Sequence, residues 1–322
     1  MVSPDTSRKI SLAPLQGITD YHFRNAFNTH FIRIDKAYTP FLRLDKGDIK
    51  KSQIKDVLPE NNKGLHLIPQ ILTNSVDEFI YFSKYLSDLN YKEINWNLGC
   101  PFPMITKRQM GSGLLPFPEK IEHILEKVLD IIPTKVSIKM RLGYENDGDI
   151  LKILPILDKF PLSEIIIHAR VGKQMYKGKP NIEAFEKCVG LSSHNICYNG
   201  DIDSVATFDK LNKQFKNINN WMIGRPAISN PFLIEEIKEG KTISASEKLE
   251  RFSSLHSYLY EQLTGNLSGP GHTLSKMTHY WEYFSKSFSN SRKVYKKIKK
   301  TNTFSKFEEN IHDIFNNEEW VA

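Results

Sequence analysis

The stretch "KEINWNLG" (92–99) runs directly into "CPFPMITKRQMGSG" (100–113). The first segment is apolar and β-branched, with polar residues interleaved, and it stops at a glycine. It reads as a strand giving way to a loop. A cysteine kept for packing normally sits inside a strand or helix. Cys100 instead sits at the break, between Gly99 and Pro101. Working outward, seven further runs share this form: "ISLAP" (10–14), "FIRIDKAYTP" (31–40), "LHLIPQIL" (65–72), "VSIKMRLG" (136–143), "EIIIHAR" (164–170), "NICYNGD" (195–201) and "WMIGR" (221–225). Between most of them lie segments of helical period, such as 75–90 and 118–132. In the latter, Ile121, Ile124, Leu125, Val128 and Ile132 share one face.

Eight strands alternating with helices predict an α/β chain folded as a (β/α)8 TIM barrel over residues 1–240. The competing open, doubly wound sheet would more often carry a Gly-rich turn after its first strand, and "LAPLQGITD" (12–20) has none. The pattern changes after Pro231. Ser244 and Glu247 have capping-box spacing for a new helix. Leu274, Met277, Trp281, Phe284 and Phe288 fall on one helical face, and two more helical stretches follow, near 291–300 and 304–316. A small all-α C-terminal domain is expected over 241–322.

At 322 residues and 40% apolar side chains the chain can bury a substantial core. The opening "MVSPDTSRKISLAP" lacks the apolar stretch of a secretory leader, and no later run is long enough to span a bilayer. Three cysteines make no disulfide framework, so a reducing cytoplasm and no membrane partner are expected. No second Cys or His stands at ligand spacing from Cys100, so no metal is expected. The net charge of +7 and pI of about 9.0 suggest an acidic partner such as nucleic acid.

In such a barrel, residues just past the C-terminal strand ends line the active face. The unusual residues of this chain fall there: Pro14, Leu15, Gln16 and Gly17, then Gln70, Asn97 and Cys100, Lys139 and Arg141, His168 and Arg170, Asn199, Gly200 and Asp201, and Gly224 and Arg225. Lys139 and Arg141 are two apart on one strand and project to the same side. Gly224 and Arg225 follow the eighth strand, where barrels often hold phosphate, and an Arg can grip its oxygens bidentately. Singly, each has an ordinary reading as a turn, an edge lysine or a packed histidine. Jointly they describe a site for a ligand with a phosphate at one end and a polar ring over the barrel mouth. Flavin mononucleotide (FMN) fits that description.

The motifs resemble those of the tRNA-dihydrouridine synthases. The matching segments are "LAPLQGITDYHFRNAF" (12–27), "NLGCPFPMITKRQMGSGLL" (97–115), "SIKMRLG" (137–143), "IIIHARVGKQMYKGKP" (165–180), "YNGDI" (198–202) and "WMIGRPAISNP" (221–231). The resemblance implies an FMN barrel that uses NADPH (or NADH) to reduce a uridine in the D-arm region of tRNA to 5,6-dihydrouridine. It implies that Cys100 is catalytic. It implies flavin contacts at Pro14, Leu15, Gln16, Gln70, Lys139, His168, Asn199, Gly200, Asp201, Gly224 and Arg225. Asn97, Arg141 and Tyr176 match positions near the base or the RNA. The chain departs from the family pattern at Leu15, where Met is commoner, and at Ala169 and Val171, where Gly and Thr are usual.

Hydride delivery to C6 of the uracil leaves C5 in need of a proton. A thiol with an ordinary pKa near about 8.5 is mostly protonated at neutral pH and suits the acid's role. Gly99 is expected to let the chain turn off the strand, and "QMGSG" (109–113) to return the loop to the next helix. Lys139 would stabilise negative charge on the reduced ring. Cys188 and Cys197 read as packing residues. A target base must leave its stack, so the helical tail is expected to grip the backbone. The run 285–306 carries Lys296, Lys297, Lys299 and Lys300 with no acidic residue, and Tyr295 and Ile298 are expected to anchor it. A monomer is expected. Two other classes stay open: a flavin barrel reducing a free small molecule such as a pyrimidine, and a flavin-bearing tRNA chaperone without turnover.

Overall fold

A computed structural model describes residues 8–32 and 34–322 of the chain. Eight parallel strands form its centre: β1 (Lys9–Leu12), β2 (Lys36–Tyr38), β3 in two pieces (Leu67–Ile68 and Gln70–Ile71), β4 (Glu93–Leu98), β5 (Lys135–Gly143), β6 (Ile165–Val171), β7 (Ile196–Asn199) and β8 (Asn220–Ile223). Each strand pairs with its sequence neighbours, and β1 also pairs with β8, Lys9 opposite Asn220. The ring closes through β3. Its first piece sets Ala37 opposite Leu67 on β2, and its second sets Gln70 opposite Asn95 on β4. Pro69 divides the two because it has no N–H to give to a ladder. Its carbonyl still accepts from Asn95 N at 2.8 Å.

The strands are almost wholly buried because both faces are covered, as a parallel barrel requires. Inside lie Ala13, Tyr38, Ile68, Ile166, Cys197 and Met222. At the end where the strands begin, Glu164 accepts from Tyr38 Oη and Asn220 Nδ2, each at 2.8 Å. Outside run α1 (Tyr21–His30), α2 (Val76–Asp88), α3 (Pro118–Val128), α4 (Asp149–Leu157), α5 (Ile182–Val189), α6 (Val205–Gln214) and α7 (Leu233–Glu239). Side-chain caps at Asp20, Ser75, Asn181 and Ser204 start four of them. Between β2 and β3 the shell is built differently. A hairpin of Leu44–Asp45 and Asp48–Ile49 precedes a short helix, Lys51–Val57. The sequence pattern gives no sign of this hairpin.

The tail is α8 (Ala245–Asn266), α9 (Gly269–Phe284), α10 (Ser291–Lys299) and α11 (Phe304–Asn317). Gly240, at φ 62°, ends α7, and the Ser244 hydroxyl accepts from Glu247 N to start α8, as the capping-box spacing predicts. Phe252, Trp281, Phe288, Phe315 and Trp320 interlock in the tail's core, which is continuous with the apolar layer around the barrel. Polar contacts fix the docking. Arg251 pairs with Glu235 at 2.6 Å, and Lys248 with Glu236 at 2.9 Å. Lys276 and Tyr280 of α9 both reach Asp20, at 2.5 and 3.1 Å, and Lys276 also donates to Gly17 O at 2.7 Å. These contacts set the tail beside the loop that leaves β1.

Candidate active site

A groove opens at the C-terminal ends of the strands. One half is lined by Pro14, Leu15, Gln16, Gln70, Asn97, Cys100, Lys139, Arg141, His168 and Tyr176, together with Pro40, Phe41 and Phe102. The other half is lined by Asn199, Gly200, Asp201, Gly224 and Arg225. Pro14, Leu15, Lys139, His168 and Tyr176 line both, so the two halves are one elongated cavity. Apart from Gly17 and Arg170, which line neighbouring depressions, every candidate from the barrel portion of the sequence therefore meets at one place. Pro40 and Phe41 fall in no family motif, and Phe102, though inside the cysteine motif, is not singled out by it; all three are apolar residues whose position is set by the loops after β2 and β4.

The cysteine loop is held by a chain of side-chain amides. Asn95 Nδ2 donates to Ser137 Oγ at 3.0 Å, Gln70 Nε2 to Asn95 Oδ1 at 2.7 Å, and Asn97 Nδ2 to Gln70 Oε1 at 2.7 Å. Asn97 Oδ1 then accepts from the backbone N–H of Gly99 (3.0 Å) and Cys100 (2.8 Å). Asn97 thus braces the loop and keeps one amide hydrogen for a ligand. On the far side, the N–H and hydroxyl of Ser112 both donate to Cys100 O at 3.0 Å. The glycine this turn requires is Gly111. It has φ 57°, and a Cβ there would lie 2.6 Å from Cys100 O. Gly99, expected to provide the turn, meets no such restriction: its φ is not positive, and a Cβ would come no closer than 3.5 Å to Lys139 O.

Cys100 is 7% exposed and packs with Leu72, Ile105 and Met110. Burial raises its thiol pKa. The Phe102 N–H and the cations Arg141, Arg43 and Lys139 act in the opposite direction. The thiol is therefore protonated at neutral pH. Cys188 and Cys197 are fully buried, Cys188 in α5 and Cys197 inside the barrel.

Four cations converge on the groove. Lys139 is half-buried, and its ammonium has no carboxylate or hydrogen-bond acceptor among the described residues. Burial, then Arg141, lowers its pKa to about 8. Arg141 is 2% exposed, and burial lowers its pKa to about 10. Its Nε donates to Gly99 O at 3.0 Å, and one Nη donates to Val171 O (2.9 Å) and Met175 O (2.7 Å). Arg141 therefore ties the cysteine loop to the loop carrying Tyr176 and presents only its second Nη to a ligand. Arg170 grips Asp201 through both Nη groups and is 1% exposed. Arg225 also reaches Asp201, at 3.1 Å, and stacks over Tyr176 at 4.2 Å. Among the described residues a single carboxylate in the groove lining, Asp201, stands against these cations, so the groove attracts an anionic or electron-rich ligand. At Gly200 a Cβ would fall 2.3 Å from Tyr198 Oη, which fixes this turn as glycine.

The family model described as Dihydrouridine synthase (Dus) matches residues 11–319. The chain belongs to the dihydrouridine synthase family. Membership places it among oxidoreductases. The tRNA-dihydrouridine synthase B of Vibrio vulnificus is 25% identical, over 81% of this chain and 83% of its own length. The tRNA-dihydrouridine(16) synthase of Neisseria meningitidis is 27% identical, over 73% of each chain. Among solved structures, the old yellow enzyme of Trypanosoma cruzi superposes with a TM-score of 0.54 at 10% identity, covering 73% of this chain and 89% of that one. This likeness shows the shared barrel fold. Like the sequence pattern, it fits a (β/α)8 barrel.

The tail lysines lie outside the groove. Lys296, Lys297 and Lys300 line a shallow depression on α10 with Arg292 and Lys293. The run lacks acidic residues in sequence, but the fold supplies them: Asp313 of α11 pairs with Lys297, and Glu318 pairs with Lys293 at 2.7 Å. Val294 and Ile298 anchor the helix, while Tyr295 is only half-buried, with Lys299 Nζ 5.9 Å from its ring. No helix among the described residues is long and apolar enough to cross a membrane. Among the same residues no group of three or more His, Cys, Asp and Glu could hold a metal ion.

Proposed function

We propose that this chain binds FMN along the groove and reduces a uridine in the D-arm region of tRNA to 5,6-dihydrouridine, with NADPH (or NADH) as the electron source. The observation that carries this reading is Lys139: an ammonium without a protein acceptor among the described residues, lining both halves of a groove with Cys100 at one end and Arg225 at the other. A cation taken partly out of water requires an anionic or strongly polar partner. The pyrimidine edge of a flavin supplies one, and its phosphate suits Arg225 and the Gly200 and Gly224 turns. The relatives named as tRNA-dihydrouridine synthases support the choice of substrate.

Bound FMN would supply the hydride that goes to C6 of the uracil. Cys100 gives its Sγ proton to C5 and regains one from solvent. The amide chain through Asn95, Gln70 and Asn97, with Ser112 opposite, holds that thiol in place. Arg141, through its second Nη, and Asn97, through its remaining amide hydrogen, hold the uracil carbonyls. Lys139 offsets negative charge next to it. The exposed lysines of α10 hold the RNA backbone while the base is extruded.

The test is direct. Chromophore released by heat from the purified protein is identified by mass. The flavin-loaded protein is then given unmodified tRNA and NADPH, and dihydrouridine is mapped by position. A protein that cannot be loaded with FMN overturns the cofactor assignment. Reduction of free uracil or uridine as efficient as that of tRNA overturns the substrate assignment.

A further inference from the structure

Arg170, 1% exposed, stands behind the groove rather than lining it, and the mechanism above gives it no task. All four of its Nη hydrogens have acceptors in the protein. One Nη meets Asp201 Oδ1 at 2.9 Å and His168 Nε2 at 3.2 Å, and the other meets Asp201 Oδ2 at 2.5 Å and Gly178 O at 2.7 Å. It has no Nη hydrogen left for a ligand. A guanidinium is a donor only. The contact with His168 therefore requires a lone pair on Nε2, and the ring's one hydrogen must sit on Nδ1.

We propose that Arg170 is a positioning residue that fixes His168 as the neutral Nδ1–H tautomer, so that the ring presents a hydrogen-bond donor to the flavin in the groove. The proposal rests on the FMN reading above only for the identity of the acceptor. His168 is 8% exposed, lines both halves of the cavity, and its Nδ1 has no protein partner among the described residues. The groups that face the ring come from every neighbouring strand. They are Lys139 and Arg141 on β5, Arg170 on β6, Arg225 after β8, and Tyr176 with ring centroids 6.2 Å apart. Among the described residues, Asp201, after β7, is the one carboxylate lining the groove, and both of its oxygens are held by Arg170. Among the described residues Arg170 is the only hydrogen-bond partner of Nε2, and it can only donate. An imidazolium there would set an N–H against the Arg170 N–H. Burial, followed by the cations Arg141, Lys139, Arg170 and Arg225, holds the ring neutral well below the ordinary histidine range.

The device also gives Asp201 a role other than touching phosphate. Without it Arg170 would be a buried cation with no counter-charge, and the tautomer lock would lose its anchor.

Nitrogen-15 NMR of histidine-labelled protein reads the tautomer directly. In the wild-type protein, with and without FMN, the His168 ring should show Nδ1 protonated and Nε2 unprotonated, unchanged between about pH 6 and 8. In Arg170→Met the ring should sample both tautomers or titrate inside that range, and FMN should bind about tenfold more weakly, as removal of one hydrogen bond implies. Arg170→Lys keeps the charge but not the fork, and should restore neither the tautomer nor the affinity. Wild-type protein with its proton on Nε2, or an imidazolium at pH 7, overturns the proposal without any variant having to fold. An Arg170→Met protein that keeps both the Nδ1–H tautomer and wild-type FMN affinity overturns it as well. Failure to load FMN would sink the flavin reading, whereas the tautomer is read on the flavin-free protein and decides this proposal by itself.

Discussion

The side-chain carbonyl of Asn97 and the backbone N–H of Cys100 are joined by a 2.8 Å hydrogen bond, so the strand residue holds the loop residue that follows it. The same oxygen takes the Gly99 N–H, and the same amide donates to Gln70. We expect Asn97→Ala to leave the buried Gln70 Oε1 and Cys100 N–H and the half-buried Gly99 N–H without partners, and to lower stability by about 2 kcal/mol. Dihydrouridine formation should fall at least tenfold, mainly in kcat, with flavin content retained. Chemical denaturation and a tRNA reduction assay check the two effects separately.

Cys100→Ala should keep flavin and tRNA binding and NADPH oxidation but lose uridine reduction. Cys188→Ala and Cys197→Ala should cost only stability. The pH dependence follows from the direction of the Cys100 shift. Burial raises the thiol pKa above its ordinary value, so the acid form is complete through neutral pH and is lost only as pH rises through that raised value. Single-turnover reduction should therefore be flat from about pH 6 to 8 and fall on the alkaline side. A rate that climbs with pH through this range would assign Cys100 a nucleophile's role instead.

Lys139 is expected to work against the stability of the flavin-free protein. Its pKa is lowered to about 8, below that of an unfolded lysine, chiefly by burial. The unfolded chain therefore binds more protons between that value and about 10.5, and stability rises with pH across that window. Lys139→Met should stabilise the flavin-free protein at pH 7 by roughly 1–2 kcal/mol, an advantage that shrinks toward pH 10. The same variant should lose most of the stabilisation that FMN gives the wild type. Thermal melts with and without FMN at two pH values test both halves.

The barrel was legible because each strand is a short apolar run ended by a glycine, a proline or a polar group, and because alternation with helices leaves few other folds. The site was legible in outline for the same reason: strand ends are marked in sequence. What each side chain does there was less so. Asn97 and Arg141 read as ligand-binding groups, yet most of their hydrogen bonds go to backbone 2 to 42 residues away. Arg170 stands out in sequence only as a strand-end residue, and only the fold brings it to Asp201. Likewise Lys297 stands in an all-basic run until α11 delivers Asp313. These are contacts between separate elements, which local pattern does not encode.

The turn beneath Cys100 separates two glycines. Gly111→Ala would have to adopt a positive φ and push its Cβ into Cys100 O, which a Cβ would meet at 2.6 Å. We expect a loss of about 2–4 kcal/mol and displacement of the thiol, seen as loss of uridine reduction. Gly99→Ala meets only ordinary contacts and should stay within about 1 kcal/mol of wild type. Equal damage from the two substitutions would show that the strand end, rather than the return of the loop, sets the position of Cys100.

The α10 lysines divide by their partners. Lys296 and Lys300 are exposed and have no carboxylate partner among the described residues, whereas Lys297 is paired with Asp313. To hold a phosphate, Lys297 would first have to break that pair. We expect Lys296→Gln with Lys300→Gln to weaken tRNA binding without changing flavin content or NADPH oxidation. The slope of log affinity against log salt should flatten by up to roughly 0.7–0.9 for each phosphate the helix no longer neutralises. Lys297→Gln alone should change the slope little, because the charge it removes is already offset. Its cost to stability should be small, since the pair is exposed to solvent. If the double variant binds tRNA with wild-type affinity and slope, α10 is only a solvated face, and the backbone grip belongs to another surface of the tail.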